Sequence, residues 1–320
     1  MTSISLSKRT PARSLATGVA LCLAIAIGAV GCATQRFVQS ESMATGDAVL
    51  ENWLFERQPG EILKAYYKKD LDRLSQAFES TNATKAGRIH HYALSARSFA
   101  ADKLFSKVYA RLLDSPDATE KANGGSLHYF NGISPCLVFP NSPTALRLLG
   151  GLRKKYEQSR QEEASATTRL VLAETLATKV GLEALDVFNL ASGEPKVWLE
   201  RLQVHVARAG SEREKSDWHD DGGYVAATLA LAGKGTEYIL ESQTENKLEI
   251  ADHEPRSAAP TGRFLFFAAK EFGQGEARER LATWHRASND VRQDRILIVA
   301  RFKPFRDVAE SARRCEDSGS

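Results

Sequence analysis

Two residues of the stretch DWHDDGGYVAATLALAGKGTEY (217–238), His219 and Asp221, stand two positions apart just ahead of an apolar run. Side chains at i and i+2 share one face of an extended chain, so both can reach one ion while Asp220 points away. A second histidine, His285, lies in TWHRASND, and Arg295 heads the apolar run RILIVARF ten residues later. Two imidazoles and one carboxylate on one face of an octahedral ion leave three positions open, a donor set that suits Fe(II). A planar guanidinium close behind suits the bidentate grip of a carboxylate. Arg295 has a competitor in Arg292, in the preceding turn. Arg301 shares strand parity with Arg295 but lies six residues on, roughly 20 Å at strand rise, and is the poorer candidate for that role. His205 and Tyr238 are candidates for the layer around the metal ligands.

These residues need strands to aim them, and the sequence supplies the pattern. LERLQVHVARA alternates, with Leu202, Val204 and Val206 on one face and Gln203, His205 and Ala207 on the other. YVAATLAL, EYILES, GRFLFFAA and RILIVARF read as further strands between Gly-rich or charged turns. Trp218 and Trp284 directly precede the two ligand histidines. On a strand they face away from the metal and pack behind it, fixing the histidine backbone. The earlier half reads differently. EILKAYYKKDLDRLSQAF, ALSARSFAADKLFSKVYARLL, LRLLGGLRKKYEQ and TTRLVLAETLATKVGL carry apolar residues near a 3.6 period, as amphipathic helices do. Residues 114–144 (DSPD, NGG, GISPC, FPNSP) are turn and loop chemistry with short buried pieces, and with 241–260 they are the expected lid segments. His90, His91, His128 and His253 read as surface or packing residues. Helices followed by strands predict an α+β fold, with a mainly helical region over 49–195, a β region over 196–308 and a polar tail over 309–320.

From about Leu202 to Phe302 the order of motifs resembles the Fe(II)/2-oxoglutarate-dependent dioxygenases of the prolyl-hydroxylase type. A strand and glycine turn lead to the HxD, GKGTEY resembles the family's Gly-Gly-x-Thr turn, and GRFLFF precedes the distal histidine. A basic residue follows that histidine by about ten positions. The resemblance implies a double-stranded β-helix of jelly-roll kind, packed with the helical N-terminal half. It implies His219, Asp221 and His285 as iron ligands, Arg295 on the far carboxylate of 2-oxoglutarate, and O2 as the second cosubstrate. Turnover then yields succinate and CO2 with hydroxylation of an unidentified substrate. The chain departs from the family pattern at Leu297, where Ser or Thr often stands two residues beyond the basic one, and at Ala207, near the place of a common tyrosine. Two rival readings use the same residues: a lipid-tethered jelly roll that binds metal or ligand without turnover, and a metalloenzyme that does not use 2-oxoglutarate.

The chain has 320 residues, 42% of them apolar, enough for a sizeable core. A net charge of +3, with scattered Lys and Arg, carries no nucleic-acid footprint. Lys8, Arg9 and Arg13 precede an apolar run over Leu15–Val30, as in a signal peptide. Ala29-Val30-Gly31-Cys32 resembles the lipobox of bacterial lipoproteins. That implies acylation at Cys32, a polar tether over 33–48 and a lipid anchor in the cell envelope, at the outer membrane facing the periplasm. An uncleaved N-terminal anchor is the alternative, and it too places the body outside the cytoplasm. Of the four cysteines, only Cys136 and Cys315 lie beyond the leader and lipobox, and an oxidising compartment permits them to pair. G-x-S-x-G, H-E-x-x-H, Walker and G-x-G-x-x-G signatures are absent.

Overall fold

The computed structural model describes residues 53–79, 93–99, 112, 126–131, 133–161, 165–210, 217–239, 256–272, 283–288 and 290–317. All belong to one compact unit, 46–320. The leader, Cys32, the tether, His90, His91, His253 and most of the lid segments lie outside the described residues.

Strand β3 (Val197–Ala207) follows the alternation of its sequence: Leu202 and Val204 are buried towards the helices, while Gln203 and His205 face the other way. β4 (Val225–Ala232), β7 (Arg263–Ala268) and β9 (Arg295–Pro304) are apolar on both faces because each is covered on both sides. These four join β1 (Ala93–Arg97) and β2 (Ser126–Asn131) in a six-stranded antiparallel sheet ordered β1-β7-β4-β9-β3-β2. The short strands β5 (Glu237–Ile239), β6 (Arg256–Ala258) and β8 (His285–Arg286) form a second sheet, β6-β5-β8. From β4 to β9 the chain crosses between the two sheets as a double-stranded β-helix does, and the fold class is the expected α+β.

Helices α1 (Gly60–Glu79), α2 (Pro143–Gln161) and α3 (Ser165–Ser192) cover the outer face of the large sheet. α1 buries Leu63, Tyr67, Leu74 and Phe78, the stripe its sequence spells. α3 is buried nearly all round from Leu172 to Phe188, Lys179 and Glu183 included, because it lies between the other helices and the sheet. Its Phe188 ring stacks on Phe302 of β9 at 6.3 Å and meets Phe78 of α1 edge-on at 5.2 Å. Each such buried phenyl contributes roughly 1.5–3 kcal/mol, which holds the helical layer onto the large sheet.

Three expectations are corrected. ALSAR, read as the start of an amphipathic helix, is β1, an edge strand paired with β7 from Ala93–Phe267 to Arg97–Arg263. Arg263 clamps it, with Nε donating to Ser95 Oγ at 3.1 Å and a second nitrogen to the Ser95 carbonyl. Within 114–144, read as loops, lies the other edge strand, β2; a sheet edge supplies partners that local periodicity does not announce. The expected polar tail is helix α4 (Val308–Asp317), which buries Cys315. A disulfide joins Cys315 to Cys136 in the single 3-10 turn Pro135–Val138, so the C-terminal helix is tied down covalently.

Candidate metal centre

His219, Asp221 and His285 come together between the two sheets, with their ligand atoms all within 4.8 Å of one another. His219 and His285 exchange both backbone hydrogen bonds, at 3.0 and 2.9 Å, an isolated antiparallel bridge that sets their rings 4.5 Å apart. Trp218 and Trp284 pack with Ile239 behind this bridge, as strand parity predicts. The peptide of Asp221 is held by Lys270 N–H at 3.0 Å, and Asp220 turns out to a Lys270 ion pair at 2.9 Å. Asp221 is therefore the carboxylate that enters the site, buried to 6% exposure, with Oδ2 3.5 Å from His285 Nε2.

Each imidazole is anchored from behind. His219 Nδ1–H donates to the Asp217 carbonyl at 2.8 Å, and His285 Nδ1–H to the Thr283 carbonyl at 3.0 Å. A carbonyl accepts only, so these bonds fix the proton on Nδ1 and leave the Nε2 lone pair to a ligand, the arrangement metal-binding histidines use. Two imidazoles presenting Nε2 and a buried carboxylate fit a divalent transition metal such as Fe(II).

The cleft that opens from these ligands, about 370 Å³ including its mouth, runs along the inner face of β9. Leu297 and Val299 form its apolar floor, with Ala230 packed against them. Arg295 lines it at 5% exposure, its Nε donating to the Lys234 carbonyl at 3.2 Å. Arg292 does not line it. That side chain is 85% exposed and bound to Asp290, whose carboxyl its hydrogen bonds hold down at about 2. His205 lines the cleft, half-buried. Tyr238, expected near the ligands, is paired with His285 along β5 and β8, but its ring packs with Ala226, Leu265 and Phe267 and does not line the cleft. It reaches the site through Phe267, whose ring lies 4.4 Å from His285. Burial raises its hydroxyl above the ordinary tyrosine value. His128 lies on β2 in register with Val204.

Arg301 takes a place that sequence spacing did not reveal. It donates to Asp221 Oδ1 at 2.6 Å, leaving Oδ2 towards the histidines. The reason is register: Arg301 pairs with Ala226 of β4, the strand that Asp221 leads into. Glu237 ties the small sheet together, accepting from Arg286 at 2.9 Å, Lys234 at 3.1 Å and Ser288 at 3.2 Å. Desolvation alone would raise its carboxyl, but the bonds and charges of Arg286 and Lys234 together hold it below the usual range. Arg286 also lies over the Trp218 ring at 4.6 Å, which bolts β8 and its histidine in place. The glycines of the GKG turn are dictated by close approach. A Cβ on Gly233 would meet the Asp294 carbonyl at 2.3 Å, and one on Gly235 the Ala259 carbonyl at 2.1 Å.

No family model matches the chain, and no curated protein does. Solved structures that resemble it are 2-oxoglutarate–Fe(II) oxygenases or similar enzymes. A dioxygenase for auxin oxidation from rice has 11% identity, covers 71% of this chain and 77% of its own, and gives a TM-score of 0.38. An oxidoreductase of the 2OG-Fe(II) oxygenase family from Burkholderia pseudomallei has 12% identity over 72% of this chain and 89% of its own, with a TM-score of 0.35. A Pseudomonas putida prolyl-4-hydroxylase has 12% identity over 72% and 99%, with a TM-score of 0.32. Likeness at this level leaves the functional reading to the site itself.

Proposed function

We propose that the protein is a metal-dependent oxygenase using Fe(II), 2-oxoglutarate and O2, held by a lipid anchor at Cys32 in a bacterial cell envelope. One observation carries the enzymatic half. Two histidines with Nδ1 tied to carbonyls and a carboxylate with one oxygen held by Arg301 turn their remaining donors to a common point. They do so at the end of a cleft lined by a buried arginine. When bound, Fe(II) supplies the redox chemistry that couples O2 to oxidation of 2-oxoglutarate and of a C–H bond. The chain's own residues do the rest. His219, Asp221 and His285 hold the ion, Arg295 pairs with the far carboxylate of the cosubstrate, and the apolar floor of Leu297 and Val299 keeps water from the bound ligand. The anchor and the envelope location are supported by the Ala29–Cys32 motif and by the Cys136–Cys315 disulfide, a bond that persists outside reducing cytoplasm. No helix among the described residues is long and apolar enough to cross a membrane.

Metal analysis of anaerobically prepared protein, followed by succinate release with and without 2-oxoglutarate, tests the reading. One equivalent of Fe(II) and succinate that depends on 2-oxoglutarate is the expected result. Bound metal whose spectrum ignores 2-oxoglutarate would instead favour a metal-binding jelly roll or a different metalloenzyme. Arg295→Ala is expected to weaken 2-oxoglutarate binding about 100-fold, as loss of a buried charge pair does, while iron stays bound. Unchanged affinity would remove Arg295 from the role.

A further inference from the structure

Helix α2 carries a charge bias that neither the core nor the metal centre uses. Its sequence, PTALRLLGGLRKKYEQSRQ, holds five basic residues against one acid, whereas α1 balances four against four. Ala145, Leu152, Tyr156 and Ser159 bury one side of it. At about 100° per residue, the opposite side presents Leu146, Arg147, Gly150, Arg153 and Lys154, all exposed. Lys154 has no acidic partner among the described residues. The Arg153–Glu157 and Lys155–Glu174 pairs lie in solvent, where such pairs are weak and easily exchanged.

Apolar groups stand with the charge. Leu146 is 60% exposed. Leu170, at 46%, lies one turn before Glu174 on α3 and so beside the C-terminal half of α2. A Cβ added at Gly150 or Gly151 would meet nothing, so packing does not ask for these glycines, although glycine weakens a helix interior relative to alanine. They leave a step without side chains between Leu146 and Lys154.

The segment after the proposed tether runs along this helix. Phe55 meets the Tyr156 ring at 5.6 Å, and Glu56, Arg57 and Gln58 line one small cavity with Leu149. Residues 33–52 separate Trp53 from Cys32, a span of at most roughly 75 Å. An anchor at Cys32 therefore keeps α2 within reach of the bilayer at high effective concentration. α2 packs on α3, and α3 on β3 and β9, whose other faces line the metal cleft.

Resting on the lipid-anchor half of the proposed function, we propose that the exposed face of α2 docks on an anionic phospholipid surface. Arg147, Arg153 and Lys154 meet the headgroup phosphates, and Leu146 enters the interface. With the large sheet between α2 and the cleft, the metal site draws its substrate from solution and not from the bilayer.

The test uses the full chain reconstituted through its own anchor into vesicles, with nitroxide-labelled headgroups as quencher. A dye is placed on Gln158→Cys, beside the basic face, or on Arg292→Cys, in the turn ahead of β9. The dye at 158 is expected to be quenched in vesicles containing phosphatidylglycerol, and to be released in pure phosphatidylcholine or at high salt. The dye at 292 is expected to stay unquenched. Arg147→Gln combined with Lys154→Gln is expected to lower the docking constant about 30-fold, the worth of two cations near an anionic surface, with melting temperature and metal content unchanged. A chain acylated at Cys32, by intact mass, whose 158 dye is quenched no more than the 292 dye would overturn the docking while the anchor stood. So would quenching at 158 that survives the loss of both cations. A chain without the acyl mass would sink the anchor and the docking together.

Discussion

Two groups of buried charged and polar side chains sit in this chain, and they are built on opposite plans. In the helical layer, Glu183 of α3 accepts on one oxygen from the Tyr67 hydroxyl, from Ser98 Oγ at 3.2 Å and from Phe99 N–H at 2.8 Å. Arg57 forks onto Asp186, and Lys179 donates to the Glu56 carbonyl. Burial raises the Glu183 carboxyl and, with the Glu183 charge, raises the Tyr67 hydroxyl well above its ordinary value. It also pushes the Lys179 ammonium down to about 8. These bonds join distant parts of the chain, so the cluster stitches the segment before α1, α1 itself, the end of β1 and α3 into one layer. Glu183 Oε2 is left without a partner, one reason its ionised form is costly. At the candidate metal centre the two imidazoles are held from behind, and the ligand atoms of His219, Asp221 and His285 converge within 4.8 Å of one another. Strongly shifted titration is thus a poor guide here. What separates the two clusters is the convergence of three ligand atoms on one point at the candidate metal centre.

The largest expected effect is on the metal side. His285→Ala is expected to lower Fe(II) or Co(II) affinity by at least about 100-fold, since it removes a ligand whose second-sphere partners alone are typically worth 10–100-fold. The metal-free melting temperature should barely move. Stoichiometric metal in this variant would break the contrast. Next comes Glu183→Ala, expected to cost about 2–4 kcal/mol in urea unfolding, because the Tyr67 and Phe99 donors lose a buried acceptor. Metal affinity should be untouched. A stable Glu183→Ala protein with weakened metal binding would mean the two clusters are coupled.

Arg301→Gln is expected to weaken metal about tenfold by freeing Asp221 to rotate, with little loss of stability. A variant that unfolds and keeps its metal affinity until it does so would make Arg301 structural. The smallest effect concerns pH. The folded value of Glu183 lies above its unfolded one, so its contribution is full below the unfolded carboxylate pKa and is lost as pH rises through the folded value. Glu183→Gln keeps an acceptor for Tyr67 and Phe99 and should flatten the fall in urea stability across that window. An unaltered slope would assign the pH dependence to another group.

The sequence by itself put His219 and Asp221 on one face and turned Asp220 away, because a two-residue period is a local property. It determined the inner and outer faces of β3 and the buried stripe of α1 for the same reason. Only the tertiary structure decided the rest. The edge strands β1 and β2 exist because β7 and β3 offer free ladders, and the tail became α4 where a disulfide and a buried cysteine hold it. Arg301 reaches Asp221, and Arg295 the Lys234 carbonyl, through pairings between segments far apart in the chain. Strand rise along one segment measures none of those distances, since they are set by register across the sheet and by the packing of one sheet on the other.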